Sequence, residues 1–142
     1  MKIPDANILI YAHDLSSPFH VRAKTWLAEA IADPSESVGI APTAALGFIR
    51  LISNPRIYLN PLPLALAIEA VNSWLEAGAV LIEVGKDHFA SVGRLMEEAH
   101  GGPNLLTDAH LAALAIERRA TLYSNDRDFQ RFKGLRLKNP IE

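Results

Sequence analysis

The chain opens Met1-Lys2-Ile3-Pro4-Asp5-Ala6-Asn7-Ile8-Leu9-Ile10-Tyr11-Ala12. A first strand of at most a few residues ends near Pro4, and one acid follows it. The apolar run Ile8 to Ala12 then reads either as a buried strand or as the first turns of a helix; periodicity does not separate the two over so short a stretch. A carboxylate wedged between two apolar segments is costly unless it is bound or hydrogen-bonded. Asp5 is therefore the first candidate for function, and the rest of the chain sets what fold holds it.

Outward from this stretch the sequence alternates. Ser16, Ser17 and Pro18 read as a helix start, with helical apolar spacing from Phe19 to Ala32. Val38 to Ala41 reads as a short strand. Pro42 and Thr43 open a helix over Ala44 to Ser53, stopped by Asn54-Pro55. Leu64 to Ala77 is a helix with Gly78 as its stop. Val80 to Val84 is a strand and Lys86 to His100 an amphipathic helix. Thr107 caps a helix from Asp108 to about Arg118. Thr121 to Tyr123 is a strand, Asp126 to Phe132 a helical turn, and Leu135 to Leu137 a last strand. Strands alternating with helices predict an α/β fold with a mainly parallel sheet. Trp26 and Trp74 fall at helical core spacing and read as packing residues.

At 142 residues the chain has the size of one domain, and we expect residues 1–142 to form it. With 14 Lys+Arg against 16 Asp+Glu, bulk positive charge is not how it would hold a nucleic acid. It has no cysteine, which excludes disulfide scaffolds, thiol nucleophiles and thiolate metal sites. No signal peptide and no membrane span can be read, so the expected location is the cytoplasm.

In open α/β sheets, ligands bind beyond the carboxyl ends of the strands. Asp5 follows the first strand, and Asp126 and Asp128 follow Thr121 to Tyr123. Asp108 opens the helix before that strand. Clustered carboxylates raise one another's pKa, and a divalent cation removes that penalty. Oxygen-only donors select hard cations such as Mg²⁺ or Mn²⁺, which suit phosphodiester hydrolysis. Each acid has a plainer role as well: Asp108 as a charge favoured by the helix dipole, and Asp126 and Asp128 as caps of the turn they open. Asn7, Ser124 and His110 are candidates for supporting the acids or touching substrate. His13, His20, His88 and His100 form no ligand spacing and read as surface residues. There is no Gly-rich phosphate loop, HExxH or GxSxG.

Three segments together resemble a known family. Asp5-Ala6-Asn7-Ile8-Leu9-Ile10-Tyr11-Ala12 resembles the opening motif of PIN-domain nucleases. Thr107-Asp108-Ala109-His110-Leu111-Ala112-Ala113-Leu114-Ala115 resembles their third acidic motif, and Ser124-Asn125-Asp126-Arg127-Asp128-Phe129 their last. Order, spacing and length are similar to the VapC-type toxins of toxin–antitoxin modules. The resemblance implies a three-layer α/β/α fold with an acidic pocket at the sheet's carboxyl edge. It implies a Mg²⁺- or Mn²⁺-dependent endoribonuclease, with Asp5, Asp108 and Asp126 as catalytic metal ligands and Asp128 as an auxiliary acid. It also implies a homodimer, a cognate antitoxin and an RNA target, which in the family includes tRNA and rRNA.

One position departs from the pattern. The family places a glutamate in the helix after the second strand, where this chain has Gly47, and no acid occurs between Glu36 and Glu69. That keeps a second reading open, a PIN-like module that binds RNA or antitoxin without cutting. Seven of the fourteen basic residues fall between Arg118 and Lys138. Arg127, Arg131 and Lys133, with Arg50, are the candidates for holding RNA phosphates.

Overall fold

The computed structural model describes residues 1–142. In chain order the elements are β1 (Lys2–Pro4), α1 (Ala6–Tyr11), α2 (His20–Ala32), β2 (Gly39–Ile40), α3 (Pro42–Ile52), α4 (Leu64–Glu76), β3 (Val80–Leu81), α5 (His88–Glu98), α6 (Leu106–Glu117), β4 (Thr121–Tyr123) and β5 (Arg136–Lys138). Strands β1, β4 and β5 pair in parallel, with Ile3 opposite Leu122 and Leu122 opposite Leu137. Strands β2 and β3 also pair in parallel, and a parallel bridge between Lys2 and Val38 joins them to β1. The order across the sheet is therefore β3-β2-β1-β4-β5.

This order places the helices. The chain moves outward from β1 to β3, then crosses back to β4 and β5. Right-handed crossovers put α1–α4 on one face and α5 and α6 on the other. The contacts agree: α1 packs on α2 and α3, α3 on α4, and α5 on α6. Strands buried on both faces suit such a sandwich, and Ile3 and Leu122 are fully buried.

The ambiguous run after Asp5 is a helix. Ile8 and Leu9 donate their N–H groups to the Asp5 carbonyl, and Ile8, Leu9 and Ile10 are all buried. A helix enclosed on every side shows no polar face, which is why periodicity leaves it undecided. Gly39 in β2 is required by space: a Cβ there would meet Met1 Sδ at 2.6 Å and Ile82 Cδ1 at 2.9 Å.

Some boundaries move. Thr107 does not cap α6; a 3₁₀ turn over Pro103–Leu105 leads into the helix, and Thr107 lies exposed in its first turn. Strand β3 stops at Leu81 because only Gly39 and Ile40 offer it a partner. No helix is long and apolar enough to cross a membrane.

Candidate active site

The chain reverses direction across the sheet between β1 and β4, the place where open α/β sheets form a crevice at their carboxyl edge. Pro4 ends β1 and has no N–H to give. The ladder is continued by Asp5, whose N–H donates to the Tyr123 carbonyl at 2.9 Å. The first acid is thus fixed by its own backbone to the end of β4.

Ser124 links the acids. Its side chain is buried, and its hydroxyl donates to Asp5 Oδ2 at 2.8 Å while accepting the Asp126 N–H at 3.0 Å. Asp126 in turn accepts the Asp128 N–H on Oδ1 at 2.9 Å, capping the 3₁₀ turn Arg127–Arg131. The capping reading of Asp126 is therefore correct for one oxygen, and Oδ2 has no such duty. Asp128 stands exposed on that turn, and Asn7 lies half-buried in the first turn of α1.

The charges act on one another. Burial pushes the Asp5 carboxyl above its ordinary range; the Ser124 hydroxyl and the first amides of α1 oppose this, and the Asp126 charge adds to it. Asp108, half-buried in the first turn of α6, is pushed up to about 6. Burial contributes most, followed by the charges of Asp126, Asp5 and Asp128, with Arg131 pulling the other way. Four carboxylates from β1, α6 and the loop after β4 therefore share one field. Asp108, Asp128 and Arg131 also face a common recess of about 260 Å³ closed by the Gly102–Leu105 turn.

A hard divalent cation fits the chemistry of this donor set, since all candidate ligands are oxygens and their mutual repulsion would be relieved by positive charge. As placed, no three carboxylates or imidazoles stand close enough together to grip one ion. Gly47 is not enforced by crowding: a Cβ there would meet only the Ala6 Cβ, at an ordinary 3.5 Å.

His110 occupies a different place from the acids. Its Nε2 lies 3.0 Å from Thr43 Oγ1 and its Nδ1 2.6 Å from His88 Nε2, while His88 Nδ1 lies 2.8 Å from Glu117 Oε1. A carboxylate only accepts, so with both rings neutral the direction is set along the whole line. Thr43 donates to His110, His110 to His88, and His88 to Glu117. Both nitrogens of His110 are engaged, so it supports the structure where α3 meets α6 and is not free for substrate. Burial, then His88, holds its pKa below the ordinary imidazole range.

His88 is not a surface residue, as its spacing suggested, but is buried with 2% exposure. Its partners lie seven residues apart on a different helix, and no local motif signals that. His13 is half-buried with its ring edge toward Phe48 and Trp74 at 5.2 and 5.5 Å, and burial lowers its pKa. His20 is half-buried, its Nδ1 2.9 Å from the Tyr11 carbonyl, and only His100 lies exposed. Trp74 is in the core, and Trp26 stacks on Tyr123 with centroids 4.6 Å apart.

The basic stretch divides. Arg118 binds the carbonyls of Glu83 and Leu114, and Arg136 binds that of Arg119. Arg127 and Arg131 are exposed on the turn that carries Asp128, and Lys133 is exposed just beyond it. Arg50 is exposed at the end of α3.

Known proteins resemble this chain in sequence and in fold. The PIN domain family model matches residues 2–135. Ribonuclease VapC37 of Mycobacterium tuberculosis is 41% identical over 141 residues, which cover 99% of this chain and 97% of that protein. Among solved structures, VapBC2 from Rickettsia felis, bound to a DNA fragment from its promoter, aligns with a TM-score of 0.71 at 19% identity, covering 97% of each chain. Mycobacterium tuberculosis VapC20, a toxin that cleaves the sarcin–ricin loop, aligns with a TM-score of 0.70 at 16% identity, covering 96% of this chain and 99% of that one.

Proposed function

The chain belongs to the PIN-domain family, among its VapC ribonucleases, and from that premise we propose that it is a toxin that hydrolyses RNA phosphodiester bonds with a divalent cation held by Asp5, Asp108 and Asp126. The observation that carries this reading is the convergence of four carboxylates at the switch point, where burial first and then the charges of Asp126, Asp5 and Asp128 push Asp108 up to about 6. Both effects disfavour the carboxylate alone, and a cation relieves them.

The cation is Mg²⁺ or Mn²⁺, which match a set of hard oxygen donors. When bound, it supplies charge that stabilises the phosphodiester transition state and acidifies water for attack at phosphorus. The chain's own groups do the rest. The Tyr123 carbonyl and the Ser124 hydroxyl hold Asp5 in place. The cap to Asp128 N–H fixes Asp126 with Oδ2 available. Asp128 adds negative charge, and Arg131 moderates it and offers a contact for a phosphate oxygen. Arg127 and Lys133, with Arg50 further away, extend that contact along the RNA backbone. Asn7 supports Asp5 from the first turn of α1. Positive residues beside a negative centre hold neighbouring phosphates and leave the scissile one to the cation.

The RNA substrate is of the tRNA or rRNA class. A cognate antitoxin holds the toxin in check, and the toxin acts as a homodimer in the cytoplasm. The test is cleavage of RNA by purified protein with Mg²⁺ or Mn²⁺, stopped by EDTA, together with growth arrest on induction. Asp5→Asn and Asp108→Asn should abolish both. Cleavage that survives both substitutions places the site elsewhere.

A further inference from the structure

The 3₁₀ turn Arg127–Arg131 sorts its side chains into two pairs, because positions three apart in such a turn eclipse one another. Arg127 and Gln130 line a polar recess of about 180 Å³ on one side. Asp128 and Arg131 line the recess of about 260 Å³ on the other, together with Asp108 and Asn104. Phe129 and Phe132 are buried and anchor the turn to the core. The main chain at Arg131 is therefore held at the rim of the acids while its side chain stays exposed.

Arg131 stands in no ion pair, although Asp108 and Asp128 face the same recess. Its charge still reaches Asp108 and draws that carboxyl back toward its ordinary range. A positive group that is felt by the acids but not bound to them competes with any other cation there. Like charges repel, so a divalent ion on Asp108 is opposed by the guanidinium beside it. The planar guanidinium fork fits a phosphate better than any point charge does. A phosphate that takes up Arg131 removes the ion's competitor.

We propose that Arg131 couples the two ligands: in the free protein it opposes the divalent cation, and RNA, by drawing its guanidinium onto a backbone phosphate, raises the cation's affinity. Coupling of this kind is reciprocal, so the bound cation strengthens the hold on RNA by the same factor. The cation is thus held loosely until substrate is present. Arg127 carries the same charge on the same turn but faces the other recess, and has no such role. The inference rests on the ribonuclease reading and adds how cation and RNA depend on each other.

The experiment is Mn²⁺ binding to the purified chain by calorimetry, alone and with a short mixed-sequence single-stranded RNA whose phosphorothioate linkages keep it intact, as checked on a gel. Arg131 is exposed, so its replacement does not put folding at stake. Without RNA, Arg131→Gln should bind Mn²⁺ more tightly than wild type by roughly threefold to tenfold at low salt, a gain that shrinks as salt rises. RNA should tighten Mn²⁺ binding in the wild type and do so less in Arg131→Gln. Arg131→Lys keeps the charge and should match wild type without RNA. Arg127→Gln removes an equal charge from the other side and should change Mn²⁺ affinity far less. Equal gains from Arg131→Gln and Arg127→Gln would reduce the effect to net charge and overturn the coupling. Mn²⁺ binding that Arg131→Gln leaves unchanged or weakens overturns the coupling and leaves the ribonuclease reading intact. Wild-type protein that binds no Mn²⁺ with or without RNA overturns both.

Discussion

Two polar clusters lie within a few residues of each other on α6, and they are built on opposite principles. The line Thr43–His110–His88–Glu117 satisfies every ring nitrogen and has one consistent direction of donation. In the cluster of Asp5, Asp108, Asp126 and Asp128, burial and then neighbouring charge push the Asp5 and Asp108 carboxyls up, and no cation but Arg131 acts against this. The first is complete in the protein alone. The second leaves negative charge that nothing in the protein but Arg131 offsets. A buried polar group by itself does not mark a site; buried polar groups whose demands are unmet do.

The largest effect that tests this contrast is on activity. Asp5→Asn or Asp108→Asn should lower RNA cleavage by more than the roughly 10–100-fold that losing a supporting partner of a metal site costs. Ser124→Ala, which frees Asp5 and the Asp126 amide, should fall inside that range in both Mn²⁺ affinity and cleavage rate. Equal losses from Ser124→Ala and Asp5→Asn would show that the hydroxyl holds more than orientation.

The imidazole line should respond in stability and not in metal affinity. His88→Ala leaves His110 and Glu117 without their partner and should cost about 1–3 kcal/mol in denaturant unfolding, with Mn²⁺ binding by calorimetry unchanged. A loss of Mn²⁺ affinity with intact folding would merge the two clusters into one.

A subtler test is pH. The folded Asp108 carboxyl titrates at about 6 and an unfolded one at about 3.9. Between these values the folded state keeps a proton that the unfolded state has lost, so this contribution is fully present below about pH 4 and declines as pH rises through about 6. Without metal, the Tm of wild-type protein should fall across that window relative to Asp108→Asn, and Mg²⁺ should recover the difference only in the wild type. A flat difference would show that neither burial nor the neighbouring charges disfavour the Asp108 carboxylate.

The smallest expected effect is a gain. Gly47→Glu begins its side chain beside Ala6 without a clash and replaces a residue that weakens helices. It should tighten Mn²⁺ binding and leave the fold unchanged.

Much of the acid cluster was legible because each acid follows a strand or opens a helix, and those positions converge in any parallel sheet. Asp5 stood out because apolar residues flank it on both sides. The helix Ala6–Tyr11 was not legible, since burial of Ile8, Leu9 and Ile10 erases the periodicity that marks a helix. Nor was His88, whose partners sit on another helix. The basic stretch read as one surface because a sequence does not show that Arg118 and Arg136 turn back onto main-chain carbonyls.

The hydrogen bond between Ser124 and Asp5 joins residues 119 positions apart. Chains are made from the amino end, and contacts of such separation form only after nearly all of the intervening polypeptide exists. The acid at residue 5 therefore leaves the ribosome long before the groups that complete its site. The candidate site therefore stays incomplete during synthesis until β4 and the loop that carries Ser124 have emerged.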